Sequence, residues 1–281
     1  LKNKVNLKIK LMKKKYYPQT LLQSLAFLLL SIIITTPVIF IQNLKIFPQE
    51  NFLYIIFGLF IFNVFLIYFL KNRKNKELFN FNFRVNKSVL IFILLLIVFQ
   101  LAINIPTNYI LSNLLNYNDP KISFGMTISH IFLFIFMSSV FEEFIFRGVI
   151  LKGYLYKYNF KKAIFISAIL FSLVHLNPLQ SLGALFFGFL SGYIYYYTRS
   201  IGMTILLHLT ANIVAFIGGY LSNNYGTVEI SNINSFYGKY SVYIIITSIL
   251  IFFHLIYYVR KNKNKIIDKL KKLNDSKRLY S

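Results

Sequence analysis

The sequence contains no cysteine and no tryptophan, and of its 281 residues only eight are acidic and four are histidine. Without cysteine there are no disulfides, no thiolate metal sites and no cysteine nucleophile, so any chemistry must come from other polar groups. The shortage of acids leaves a formal charge of +23. In a soluble protein that excess would suggest nucleic acid. Here the cations punctuate long apolar runs instead of forming one patch with aromatic neighbours, so no nucleic-acid partner is expected. The bias toward Phe, Ile, Asn, Lys and Tyr is that of an AT-rich coding sequence of bacterial character, which removes the aromatic content as a sign of a cofactor box.

What is abundant is hydrophobic surface, 57% of the residues, too much for a water-soluble exterior. Apolar runs of about 20 residues recur, each long enough to cross a hydrocarbon core of roughly 30 Å as a helix. Helices are expected because a spanning segment must satisfy its own backbone hydrogen bonds. The expected fold class is therefore all-α, a polytopic transmembrane helical bundle of about eight spans. These fall near 20–42, 52–70, 89–111, 127–146, 163–177, 180–198, 203–221 and 240–259. The fifth is short and ends abruptly at Asn177-Pro178, which suits a partial or tilted crossing. Under this arrangement every one of the 31 Lys and Arg falls on one side except Lys45, Lys121 and Lys239. The bias puts both termini in the cytoplasm of a multi-pass protein of the cell membrane, bacterial by composition. The organisation expected is a basic cytoplasmic segment 1–19, spans one to three over 20–126, a core of spans four to seven over 127–221, and a last span with a basic cytoplasmic tail over 222–281. Residues 1–17 resemble a signal-peptide start, but the uncharged stretch from Thr20 to Leu44 is too long for an h-region and reads as a retained span.

Six of the eight acids, Glu50, Glu77, Asp119, Glu229, Asp268 and Asp275, fall in loops or tails. The others, Glu142 and Glu143, are adjacent at the end of the fourth span. A carboxylate in the bilayer interior costs at least about 2.5–3.5 kcal/mol, so this pair needs partners, a metal or a water-filled cavity. On a helix the two point about 100° apart, and Glu143 shares a face with Arg147 four residues on. One acid can be neutralised there, leaving Glu142 to address something else. Two histidines also lie within spans: His175 in Phe171-Ser172-Leu173-Val174-His175, and His208, which shares a helical face with Asn212. A lone intramembrane histidine is more often a hydrogen bonder between helices than a catalyst. Two of them with Asn and paired Glu make a set. His130 and His254 have no acidic neighbour in sequence and are assigned no role. Gly183, Gly188 and Gly192 have the small-residue spacing of close helix packing, letting spans four, five and seven converge.

The ordered motifs Glu-Glu-x-x-x-Arg, Phe-x-x-x-His and His-x-x-x-Asn, across about 127–221, resemble the CPBP family of membrane proteases, which includes the type II CAAX prenyl endopeptidases and bacterial Abi-type proteins. The resemblance implies an intramembrane endopeptidase. In it Glu142 is the catalytic glutamate and His175 helps to activate the water that attacks the scissile carbonyl. Asn212 and His208 stabilise the oxyanion, and Glu143 and Arg147 form a supporting ion pair. Family members are commonly labelled metalloproteases, while a metal-free glutamate mechanism has also been proposed for the prenyl endopeptidases. The metalloprotease is the expected reading, with Glu142, His175 and His208 of the right types to be catalytic Zn2+ ligands. Asn is a poor zinc ligand and no His-Glu-x-x-His segment is present. The implied partner is a membrane-associated protein or peptide substrate within the lipid bilayer.

Other classes fit less well. An aspartyl protease needs two membrane aspartates, and all three Asp lie outside the spans. A rhomboid-like site needs Gly-x-Ser, but Leu170 stands two residues before Ser172. A proton- or ion-coupled transporter would show half-helix breaks or an inverted repeat at the midplane, and neither is visible. A non-catalytic bacteriocin-immunity or binding membrane protein that keeps the motif is the remaining alternative.

Overall fold

The computed structural model describes residues 16–42, 49–73, 79–115, 132–224 and 237–275, and all regular structure among them is helical. The chain divides into two compact units, residues 1–79 with 144–167, and residues 80–143 with 168–281.

In the first unit α1 (Leu21–Gln42) packs along α2 (Gln49–Asn72). The segment before α1 is clamped to the end of α2: the Tyr17 amide donates to Asn72 Oδ1 at 3.0 Å, and Asn72 Nδ2 donates back to the Tyr17 carbonyl at 2.8 Å. The rest of this unit is a buried π-helical stretch, Phe144–Leu151, then α3 (Lys152–Lys157) and the first part of α4 (Phe160–Leu173). Phe144 lies in an aromatic cluster, 4.4 Å from the Phe65 ring and 4.7 Å from the Phe79 ring. Such packing suits a segment whose backbone departs from α-helical spacing, because side chains rather than regular hydrogen bonding then hold it.

The second unit is built on a long helical run: α5 (Lys87–Phe99), a π turn at Gln100–Asn104, and α6 (Ile105–Leu115). Asn86 caps its start, accepting from the amides of Ser88 and Val89. α7 (Ser138–Glu143, preceded by a π stretch at Phe132–Met137) packs against α9 (Ile201–Asn224), and α9, α8 (Pro178–Thr198), α10 (Ser241–Lys261) and α11 (Lys263–Asp275) pack around the long run. The start of α8 is written in its sequence, with Asn177 accepting from the Leu179 amide and Pro178 in the first turn.

Among the described residues, three stretches are long and apolar enough to cross a membrane: Ile55–Asn72, Lys87–Ser112 and Gly238–Lys261. They carry exposed side chains such as Phe69, Phe253 and Leu250. Rows of exposed large apolar residues on spanning-length helices belong to a membrane protein, with hydrocarbon as their solvent. Leu21–Ile33 and Ile201–Ile217 are shorter apolar stretches, so about eight crossings remains an expectation. Two differences from the sequence reading bear on the site. Helical structure runs without a break from Phe132 to Lys157, so the paired glutamates stand within a longer run and not at its end. And α4 stops at Leu173; at 14 residues it is about 21 Å long, short of a hydrocarbon core of roughly 30 Å.

Candidate active site

Glu142 and Glu143 close α7, between the two π-helical stretches. Interruptions of this kind re-aim side chains and recur at functional sites. Glu143 is fully buried and faces α9, where His208 Nδ1 lies 3.0 Å from its Oε1. A carboxylate accepts, so Nδ1 carries the proton and donates. One helical turn further along α9, Asn212 Nδ2 donates to Ser139 Oγ at 2.9 Å. The Ser139 hydroxyl in turn donates to the Ile135 carbonyl at 2.6 Å. The two rungs are four residues apart on each helix and run in opposite directions, which sets α7 and α9 antiparallel in a single register.

His175 reaches the same place from a turn. Beyond Leu173 the chain closes with the His175 amide on the Ser172 carbonyl and the Leu176 amide on the Leu173 carbonyl, both at 3.3 Å, and Leu176 takes a left-handed φ of 52°. That conformation is uncommon for a leucine and persists where neighbouring bonds over-determine it. Here Ser172 Oγ donates to the Ser181 carbonyl at 2.7 Å, and Ser181 Oγ donates to the Asn177 carbonyl at 2.8 Å, tying the end of α4 to the start of α8. His175 Nδ1 lies 2.8 Å from the Phe171 carbonyl. A carbonyl accepts only, so this nitrogen too is the protonated one.

With both Nδ1 atoms engaged, both Nε2 atoms are left as acceptors, and both lie 3.9 Å from Glu142 Oε2. That oxygen is sealed from solvent and has no hydrogen-bond partner, although the Glu142 side chain as a whole is 34% exposed. Three acceptors facing one spot call for a donor. The spacing is too long for direct hydrogen bonds and short enough for one small molecule to bridge at about 2.8 Å. The walls are aromatic: Phe171 stands 4.9 Å from the His175 ring and 5.9 Å from the His208 ring, and Phe187 of α8 stands 4.6 Å from His208.

The same three side chains have the donor chemistry of a catalytic zinc, but tetrahedral ligands at zinc's bond lengths stand about 3.3 Å apart. At 3.9 Å the carboxylate and imidazoles do not fit around one ion as they are placed, and no group of three or more His, Cys, Asp or Glu among the described residues could hold a metal ion.

The expected residues are thus brought together unequally. Glu142, His175 and His208 converge, with Glu143 behind His208. Asn212 is on the same face of α9 as His208, but its carboxamide is turned to Ser139. Arg147 is 1% exposed within the π-helical stretch Phe144–Leu151. His254 is exposed on α10, and His130 lies outside the described residues. A Cβ on Gly188 would come within 2.9 Å of the Ala168 Cα, so this glycine admits α4 as its spacing suggested; Gly183 is pressed instead against Asn104 of the π turn. Ser139 and Phe187 were not singled out by sequence. Ser139 could have been found from its position four residues before Glu143, the same interval that separates His208 from Asn212.

The site of this helical membrane protein thus joins a glutamate whose inner oxygen is sealed from solvent to two imidazoles of fixed tautomer. Residues 124–214, about a third of the chain, match the family model for Rce1-like type II CAAX prenyl endopeptidases. No curated protein and no solved structure matches the chain.

Proposed function

We propose that the chain is an intramembrane endopeptidase that hydrolyses a peptide bond in a membrane-associated protein or peptide, using a water activated by Glu142 and His175. The observation that carries this is the convergence of two Nε2 acceptors on the sealed, unpartnered Oε2 of Glu142. A water bridging these atoms gives a proton to Glu142 as its oxygen attacks the scissile carbonyl, and the carboxyl returns that proton to the leaving amine. His175 orients the water, its own tautomer being held by the Phe171 carbonyl. His208 has the Glu143 carboxylate on its far nitrogen, which favours an imidazolium; on taking up a proton from solvent its Nε2 changes from acceptor to donor and stabilises the developing oxyanion. Asn212 joins that role by exchanging its bond to Ser139 for one to the oxyanion. Glu143 supports the site from a buried position behind His208. No step is routed through a metal.

The test compares new peptide termini in membranes of host cells expressing either the wild type or Glu142→Gln at matched levels. Termini found only with the wild type support proteolysis and name the substrate. Identical sets of termini count against it and favour a binding role.

A further inference from the structure

Away from the site, α5, α8, α10 and α11 enclose a cavity of about 350 Å³, a size typical of small-ligand pockets. Its wall is almost wholly apolar, including Phe92, Leu190, Ile256 and Leu270; the charged lining residues are Arg260 and Lys263, Tyr193 and Tyr197 add hydroxyl-bearing rings, and no acid is among the lining residues. Both cations are exposed and stand where α10 ends and α11 begins. The second helix lies in the stretch expected from sequence to be a basic cytoplasmic tail, a reading that favours anchoring of topology over binding of anionic lipid. Ile266 and Leu270 are its buried face, while Lys265, Lys271 and Lys272 are exposed. Asn86 Nδ2 donates to the Lys269 carbonyl at 3.0 Å and ties the helix to the capped start of α5. A short helix that follows a spanning-length one, apolar inward and lysine-rich outward, is the form that lies in the headgroup plane.

We infer that this cavity is a binding site for an anionic phospholipid, with an acyl chain among the apolar walls and the phosphate on Arg260 and Lys263. Charge complementarity and the apolar wall argue together. Two cations over an acid-free apolar hole match a molecule with a negative head and a hydrocarbon tail, and neither a neutral lipid nor a soluble anion uses both features. The site is separate from the Glu–His cluster and does not depend on how that cluster works.

Native mass spectrometry of the full chain in detergent, with phosphatidylglycerol or phosphatidylcholine added in turn, tests this. The wild type should retain phosphatidylglycerol with roughly a tenfold to thirtyfold preference, the worth of two cations against an anionic head. Arg260→Gln with Lys263→Gln should abolish the preference, and Ile256→Phe, which fills the cavity, should lower retention of both lipids. Lys271→Gln with Lys272→Gln removes equal charge from the outer face of the same helix and should leave the preference intact. Equal retention of the two lipids by the wild type, equal loss in the outer-face variant, unchanged binding by Ile256→Phe, or preferential retention of oleate over phosphatidylglycerol would each overturn the assignment.

Discussion

Replacing Glu142 by Gln keeps the shape of the side chain and exchanges its acceptor Oε2 for an atom that is either a neutral carbonyl oxygen or an amide nitrogen. Neither takes a proton from water, and the amide would donate to the Nε2 atoms that now lie 3.9 Å away. General-base catalysis is worth about 10²- to 10⁴-fold, or roughly 3–5 kcal/mol of transition-state stabilisation. Loss of that order is expected. The fold should tolerate the change, because the Glu142 side chain is a third exposed and Oε2 makes no hydrogen bond that the substitution would break. The assay is quantitative recovery of wild-type-specific termini from membranes, normalised to immunoblotted protein. Cleavage by Glu142→Gln within threefold of the wild type at equal abundance would refute the assignment of Glu142 as the base.

Other outcomes follow from the same geometry. His175→Ala should abolish cleavage at normal abundance, since it removes an acceptor from the site while the Ser172–Ser181 bonds that hold the turn remain; surviving activity would count against it. Glu143→Ala should lower abundance as well as activity, because it deprives the buried His208 Nδ1 of its acceptor, a loss of about 1.5–3 kcal/mol that a thermal-unfolding midpoint would register. Gly188→Ala forces a methyl group to 2.9 Å from the Ala168 backbone and should destabilise by about 1–3 kcal/mol, read as reduced thermal stability in detergent. A zinc chelator should leave cleavage unchanged; loss restored by added zinc would show that Glu142 and the two imidazoles can close to metal-ligand distances.

Much of the site was legible because ionisable groups are rare in this chain. With only eight acids and four histidines, a carboxylate pair and two histidines inside apolar segments stand out, and spacing alone puts His208 and Asn212 on one face. Less legible was what each polar atom would do. Glu143 was expected to serve as partner to Arg147; the contact it makes with His208, which fixes that imidazole's tautomer, was not anticipated. Asn212 was expected to point at the reaction, whereas its carboxamide is committed to Ser139. His175 was read as the end of a span and lies in a turn beyond α4, closed by serines that carry no charge or periodic signal. The helix α11 was hidden in a lysine-rich stretch where charge obscured a short apolar stripe.

By itself, the sequence determined the class of protein and the chemical inventory: apolar runs of spanning length can only be helices in lipid, and a charge inside them must have a use. Only the tertiary structure decided the direction in which that inventory acts. Two imidazoles present Nε2 to Glu142 because a carbonyl and a second carboxylate, one from their own helix end and one from another helix, hold their Nδ1 protons. Hydrogen bonds between segments distant in sequence have no periodicity along the chain, so they become visible only once the helices are packed.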